Sequence, residues 1–277
     1  MPSAQPRVAQ SFEIVEATID DIHAAYRAGI LTARQLVQMY LDRIASYDKK
    51  GPAINAIISL NPTALDEAER LDAALKRTGF VGPLHGIPVI MKDQADIKGM
   101  PTTLGSALFK DYMPERDCFV VSKLKKAGVI FLGKATLGEL GGGDTHGSLF
   151  GSTRNVYDLE RTAGGSSGGS GAGVSANFCA VAVGQEGFAS IRRPATWNGI
   201  AGMRPTMGLV SRAATVDCDR KAELSNPPSM GSAPKALSQC SPSDQRISAS
   251  ICGRRSAISS AKSGETRHDA GARWIAM

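Results

Sequence analysis

The sequence lacks the features that mark several large classes of protein. No apolar run approaches the roughly 18 residues of a membrane-spanning helix, and the opening "MPSAQPRVAQSFEIVEATIDD" has no apolar core of a secretory signal. Aromatic residues make up only 5% of the 277, no dense Lys/Arg run occurs, and the net charge is +6. This mild basic excess is typical of an ordinary soluble surface. We therefore predict a soluble, cytoplasmic chain with no membrane or nucleic-acid partner.

Cysteine pairs are also missing. No CxxC motif occurs. An odd number of cysteines at irregular spacing predicts free thiols in a reducing compartment, not a disulfide framework or a zinc site. The five cysteines are Cys118, Cys179, Cys218, Cys240 and Cys252.

What is present up to about residue 214 is an alternation of helical and extended patterns. Thr32 followed by Gln35 is a capping box that predicts the start of a helix after Gly29, and "TALDEAERLDAALKR" is an amphipathic helix. "GIPVIMKD", "VIFLGKA" and "ANFCAVAVG" are continuous apolar runs, typical of strands buried on both faces. The alternation predicts an α/β fold with both sheet faces covered.

The composition changes after Val216. Residues 217–277 contain 12 serines, few large apolar residues and no sustained period of 2 or 3.6. Such a segment buries too little apolar surface to offset its ordering entropy. We predict an N-terminal extension over residues 1–17, one domain over 18–214 and a poorly patterned, disordered tail over 215–277.

The stretch "RTAGGSSGGSGAGVSANFCAVAVGQEGFASIRRPA", residues 161–195, concentrates glycine and serine. A flexible linker is excluded because the chain runs directly into apolar residues, and a phosphate-binding loop would need a following lysine or a ribose-binding acidic residue. Residues 165–169 contain G-x-S-x-G, but a Ser-His-Asp site also needs a histidine. We place His23 on a surface helix and His268 in the tail, so His85 and His146 stay open as partners.

A lysine can replace histidine as the base if burial lowers its pKa enough to keep it neutral near pH 7. Lys92 is the candidate, because "IPVIMKD" places it at the end of an apolar strand. The alternative is that Lys92 forms a surface ion pair with Asp93 or Asp96. Residue types alone leave both interpretations open.

Three separated motifs resemble the amidase signature family. "GGSSGGSGAG" and "SIRRPATWNGIAGMRPTMGLVSR" resemble its Gly/Ser loop and nucleophile region, and "PLHGIPVIMKD" resembles its upstream lysine motif. The resemblance covers about residues 18–212 and has the same motif order. It implies that Lys92 is the catalytic lysine, Ser166 the bridging serine on a cis peptide and Ser190 the nucleophile. It also implies an α/β/α sandwich with a mixed sheet between helices.

The resemblance further implies hydrolysis of carboxamide C–N bonds through an acyl-enzyme, with a small-molecule amide and water as partners and no cofactor or metal. Backbone N–H groups of Gly187, Phe188 and Ala189 would hold the oxyanion together with that of Ser190. The family usually has two glycines where Phe188 and Ala189 stand, so these side chains either narrow the pocket or distort the loop.

The family pattern stops near Ala213 or Ala214, roughly halfway through its usual length, which implies a truncated domain. Three hypotheses follow. The chain is an amidase, the amide-transfer subunit of a tRNA-dependent amidotransferase that needs glutamine and partner subunits, or an inactive truncated fragment that misfolds or only binds.

Overall fold

The computed structural model describes residues 12–206, 208–211 and 274–276. The helices are α1 (Ile19–Arg27), α2 (Ala33–Tyr47), α3 (Ala64–Thr78), α4 (Phe119–Lys126), α5 (Gly168–Ser175) and α6 (Arg192–Trp197). The strands are β1 (Ile57–Leu60), β2 (Pro88–Lys92), β3 (Ile130–Ala135), β4 (His146–Gly147), β5 (Gly151–Ser152), β6 (Val181–Val183), β7 (Ala201–Met203) and β8 (Trp274–Ala276). Two 3₁₀ turns cover Ala107–Phe109 and Glu139–Gly141.

Six strands form one mixed sheet in the order β1-β3-β2-β6-β8-β7. β1 runs antiparallel to β3, and the other neighbours are parallel. Every residue of β2 and β3 is buried, so both faces of the sheet centre are covered. The predicted α/β fold with a mixed sheet between helices is confirmed.

The first helices begin where local sequence signals predict. The Thr32 hydroxyl accepts from the backbone N–H of Gln35 at 3.1 Å, and the Gln35 side chain accepts from the Thr32 N–H at 2.9 Å. This reciprocal pair satisfies two of the donors that a helix start leaves unpaired. The predicted capping box is therefore confirmed.

His23 differs from its predicted position on a surface helix. The residue lies on α1 but is only 6% exposed, with its Nε2 at 3.0 Å from the His85 carbonyl oxygen. Its ring packs against Phe80 with centroids 4.8 Å apart. The surface assignment was wrong because the apolar face of α1 is wide enough to include His23.

The Gly/Ser stretch forms a buried helix, α5, where the resemblance implied a loop. A Cβ atom at Gly169 would lie 2.2 Å from Thr136 Oγ1, and one at Gly173 would lie 2.4 Å from Ile90 Cδ1. Glycine at these positions lets the helix backbone approach the sheet closely. Local patterns miss this helix because glycine has a low helix propensity and the segment has no apolar period.

The C-terminal segment departs in part from the predicted tail. Residues 212–273 lie outside the described residues, but Trp274–Ala276 forms β8, which pairs in parallel with β6 and β7. Main-chain hydrogen bonds on both edges hold this strand, and they do not depend on an alternating side-chain pattern. The domain boundaries at 17/18 and 214/215 stay predictions.

Cys118 and Cys179 are buried free thiols, and Cys218, Cys240 and Cys252 lie outside the described residues. Across residues 12–206, 208–211 and 274–276, no helix combines the length and apolarity that crossing a membrane requires. The cytoplasmic location stays a prediction.

Candidate active site

Lys92 is the last residue of β2 and lies between the parallel strands β3 and β6. Its side chain is buried, with 2% of the residue exposed. The Lys92 Nζ donates to Ser166 Oγ at 2.7 Å and to the Gln185 carbonyl oxygen at 3.3 Å. The strand end therefore delivers a buried amine to a serine hydroxyl.

Ser166 and Ser190 continue this hydrogen-bond chain. Ser166 lies two residues before α5, and the Gly165–Ser166 peptide bond is cis, as the resemblance implied. Ser166 Oγ donates to Ser190 Oγ at 2.9 Å. Ser166 is buried and Ser190 is partly exposed just before α6. The structure thus brings together Lys92, Ser166 and Ser190, the three residues that the resemblance singled out.

The expected alternative of a surface position for Lys92, in an ion pair with Asp93, is wrong. The residue is buried, and the Asp93 carboxylate faces another lysine, with 2.8 Å between Asp93 Oδ1 and Lys134 Nζ. The side chain of Lys92 instead contacts a hydroxyl, a group that can exchange a proton with an amine.

The two histidines considered as alternative bases have other partners. His85 Nδ1 accepts from the Val81 N–H at 3.3 Å, and its ring stacks on Phe80 with centroids 4.9 Å apart. Burial is the main cause that lowers the pKa of His85. His146 Nδ1 lies 2.9 Å from Ser152 Oγ on the β4–β5 hairpin. These contacts do not support a Ser-His arrangement with Ser166 or Ser190.

Ser167 has a role in the site that sequence patterns missed. Its backbone N–H donates to the Ser190 carbonyl oxygen at 3.1 Å. Its hydroxyl donates to the Gln185 carbonyl oxygen at 3.1 Å and accepts from the Gln185 N–H at 3.2 Å. Ser167 is fully buried and ties the start of α5 to the segment that carries Ser190. The only local signal is that two serines adjoin in "GGSSGG".

Glu186 holds the turn that leads to Ser190 and α6. Its Oε2 accepts from the backbone N–H groups of Ile191 and Arg192 at 2.9 and 3.0 Å, and its Oε1 accepts from Arg192 Nε at 2.7 Å. Burial raises the pKa of Glu186, but these hydrogen bonds and the Arg192 charge outweigh it and hold the pKa below its ordinary value. Sequence reasoning missed this role, although an acidic residue six positions before Arg192 was visible.

The segment Gly187–Ala189 reaches the surface beside Ser190. The Phe188 side chain is 89% exposed, so it points away from the protein interior. Within the described part of the chain, the backbone N–H groups from Gly187 to Ser190 donate to no protein acceptor. The loop therefore presents N–H donors close to a partly exposed hydroxyl.

Comparison with known proteins identifies the family of this chain. The family described as Amidase matches residues 35–228. The matching glutamyl-tRNA(Gln) amidotransferase subunit from Acidothermus cellulolyticus is 38% identical over 217 residues, which are 78% of this chain and 42% of that protein. The chain therefore belongs to the amidase family.

Solved structures of similar fold point to the same family. Native peptide amidase from Stenotrophomonas maltophilia superposes with a TM-score of 0.71 at 40% identity, over 74% of this chain and 43% of that one. The corresponding glutamyl-tRNA(Gln) amidotransferase subunit from Thermotoga maritima gives a TM-score of 0.62 at 35% identity, over 74% and 42%. The chain spans about two-fifths of the length of these relatives.

Proposed function

We propose that this protein hydrolyses carboxamide C–N bonds through a serine acyl-enzyme, with Ser190 as nucleophile, Ser166 as proton bridge and Lys92 as base. The observation that carries the proposal is the hydrogen-bond chain that runs from the buried Lys92 Nζ through Ser166 Oγ to the partly exposed Ser190 Oγ, with steps of 2.7 and 2.9 Å. Both distances lie within the reach that proton transfer requires.

The two consecutive hydrogen bonds allow a proton relay that can run in either direction. With Lys92 donating, the protons point from the amine towards Ser190, as suits a protonated lysine. Burial disfavours the charged ammonium form. Once Lys92 is neutral, the chain reverses: Ser190 donates to Ser166, and Ser166 donates to the amine. Ser190 Oγ can then attack the amide carbon while its proton moves to Ser166 and the Ser166 proton moves to Lys92.

The second half of the reaction uses the same groups in reverse. The Lys92 ammonium returns a proton through Ser166 to the leaving nitrogen as the C–N bond breaks, leaving an ester at Ser190 Oγ. Water then attacks this ester and loses a proton through the relay to Lys92. The relay returns that proton to Ser190 Oγ as the ester C–O bond breaks and the carboxylic acid leaves. Acid–base assistance of this kind typically contributes about 10²–10⁴-fold.

The segment from Gly187 to Ser190 supports the placement of an oxyanion site. Backbone N–H groups that donate to no acceptor among the described residues are suited to bind the negative oxygen that forms during attack. Ser167 contacts Gln185 before this segment and Ser190 at its end, and the Glu186 carboxylate accepts from the Ile191 N–H that follows it. One such donor is typically worth about 3–4 kcal/mol of transition-state stabilisation.

Hydrolysis of a simple primary amide tests the proposal. We expect ammonia release from benzamide by the full chain and loss of that release in Ser190→Ala. Ser46→Ala, on the exposed face of α2, is the matched control and should behave like the parent. Equal ammonia release from the Ser190 and Ser46 variants would contradict the proposal.

An amide-transfer role is the second candidate, because several similar proteins are named as subunits of the glutamyl-tRNA(Gln) amidotransferase. That function needs partner subunits and glutamine as the amide donor. Glutamine hydrolysis that appears only when such subunits are added would favour it over independent hydrolysis of benzamide.

A further inference from the structure

A second buried lysine lies beside the proposed catalytic lysine. Lys134 on β3 forms an ion pair with Asp93, with 2.8 Å between Nζ and Oδ1, and both side chains are fully inaccessible to solvent. Lys134 Nζ also donates to Thr102 Oγ1 at 3.0 Å and to the Pro101 carbonyl oxygen at 3.1 Å. The second carboxylate oxygen of Asp93 accepts from the Thr103 N–H at 2.9 Å. A charged pair this deeply buried requires such extensive pairing.

The pair lies on the other face of the sheet from the serines. Asp93 directly follows Lys92 and extends the strand pairing, since its N–H donates to the Ala135 carbonyl oxygen at 3.0 Å. Successive side chains of a strand point to opposite faces. Lys134 is the register partner of Met91, so the two side chains lie on the same face of the sheet. Asp93 is two residues after Met91 and therefore shares that face. Lys92 thus contacts Ser166 on one face while its neighbour Asp93 contacts Lys134 on the other.

This arrangement has an electrostatic consequence for Lys92. A buried carboxylate one residue away would favour the ammonium form of Lys92 and so oppose its use as a base. The buried ammonium of Lys134 offsets the negative charge of the Asp93 carboxylate. We propose that Lys134 and Asp93 are positioning residues: Asp93 anchors the end of β2, and Lys134 neutralises Asp93 so that the Lys92 amine can be uncharged.

Part of this inference rests on the proposed function, because it explains how Lys92 can serve as a base. Other titratable groups also lie on elements packed around Lys92: the Asp96 carboxylate after β2, the Cys118 thiol at the start of α4 and the Glu186 carboxylate after β6. α5 carries no titratable side chain. These groups stay the same in variants of Asp93 and Lys134, so differences between variants report on the pair alone.

The test is the titration of Lys92 itself in the full chain, with the ¹³C NMR shift of lysine Cε as the readout. The Lys92 resonance is assigned by its loss in Lys92→Met. Lys134→Met leaves Asp93 uncancelled and should move the Lys92 midpoint up by about one pH unit, the low end of the range for a nearby charge. Asp93→Asn leaves Lys134 uncancelled and should move the midpoint down by a similar amount.

The double variant Asp93→Asn/Lys134→Met has no net charge change at the pair and should restore the parental midpoint. It leaves no unpaired buried charge and should fold. If one single variant fails to fold, the shift in the other single variant carries the test. Lys98→Met removes an exposed lysine and is the matched control, with no expected shift. An unchanged midpoint in either single variant, or a shifted midpoint in the double variant, would overturn the inference.

Failure of the proposed function gives a different result. If the midpoints move as expected but a fluorophosphonate does not label Ser190, the charge coupling stands and the hydrolase proposal fails. If labelling occurs but the midpoints do not follow this pattern, the hydrolase proposal stands and the role of Lys134 fails.

Discussion

Replacement of Glu186 by glutamine should loosen the turn that carries Ser190. Glu186 Oε2 accepts from two backbone N–H groups and Oε1 accepts from Arg192 Nε. Glutamine has only one carbonyl oxygen. If this oxygen accepts from the two backbone N–H groups, the glutamine NH₂ group faces Arg192 Nε, and two donors then oppose each other. The variant keeps the shape of the side chain but loses the charge that strengthens all three bonds.

The magnitude follows from burial. The Glu186 side chain is inaccessible, so its bonds to the backbone are worth about 1.5–3 kcal/mol as hydrogen bonds to a charged group. The Arg192 side chain is 59% exposed, so its ion pair adds only about 0–1 kcal/mol. We expect a loss of about 2 kcal/mol in the free energy of unfolding, which corresponds to a fall of about 4–8 °C in Tm.

The pH dependence of this loss has a definite sign. The pKa of Glu186 is lowered in the folded state, so its contribution is present above the unfolded-state pKa and is lost as the pH falls through the folded-state value. The difference between parent and Glu186→Gln should be largest near neutral pH and should shrink in acid. Thermal melts across this range test it, with the exposed Glu160→Gln as control. Equal melts of the two variants at neutral pH would refute the reasoning.

Two further changes separate packing from chemistry. Gly169→Ala should destabilise the fold by about 1–3 kcal/mol because the new methyl group would overlap Thr136. In the control Gly142→Ala, the new methyl group meets no atom closer than 3.9 Å and should leave the thermal melt unchanged. Equal melts of the two variants would contradict the close approach of α5 to the sheet. Lys92→Met should lower ammonia release from benzamide by at least about 10²-fold. His146→Ala should change this release little. A full loss of release in a folded His146→Ala variant would restore the Ser-His alternative.

Local patterns predicted the frame of the site well. The apolar run before Lys92 indicated a buried strand that ends at a lysine, and the structure has this strand as β2. The capping box at Thr32 and Gln35 located the start of α2 to the residue. These features depend on neighbours a few positions apart, which a sequence displays directly.

Contacts between distant segments were not predictable in the same way. The Lys134–Asp93 pair joins two strands, and Ser167 reaches a carbonyl oxygen on Ser190. The local sequence pattern of each segment does not indicate which distant segment it contacts. The helix α5 was missed for a related reason: its glycines are favourable only because β2 and Thr136 lie against them.

Covalent labelling of the full chain tests the central claim most directly. A fluorophosphonate reacts with an activated serine hydroxyl, and peptide mass spectrometry identifies the residue that carries the phosphonyl group. We predict labelling at Ser190 that increases with pH as Lys92 becomes neutral and that is lost in Lys92→Met. Labelling at Ser166 or Ser167, or labelling of Ser190 that does not depend on Lys92, would contradict the account.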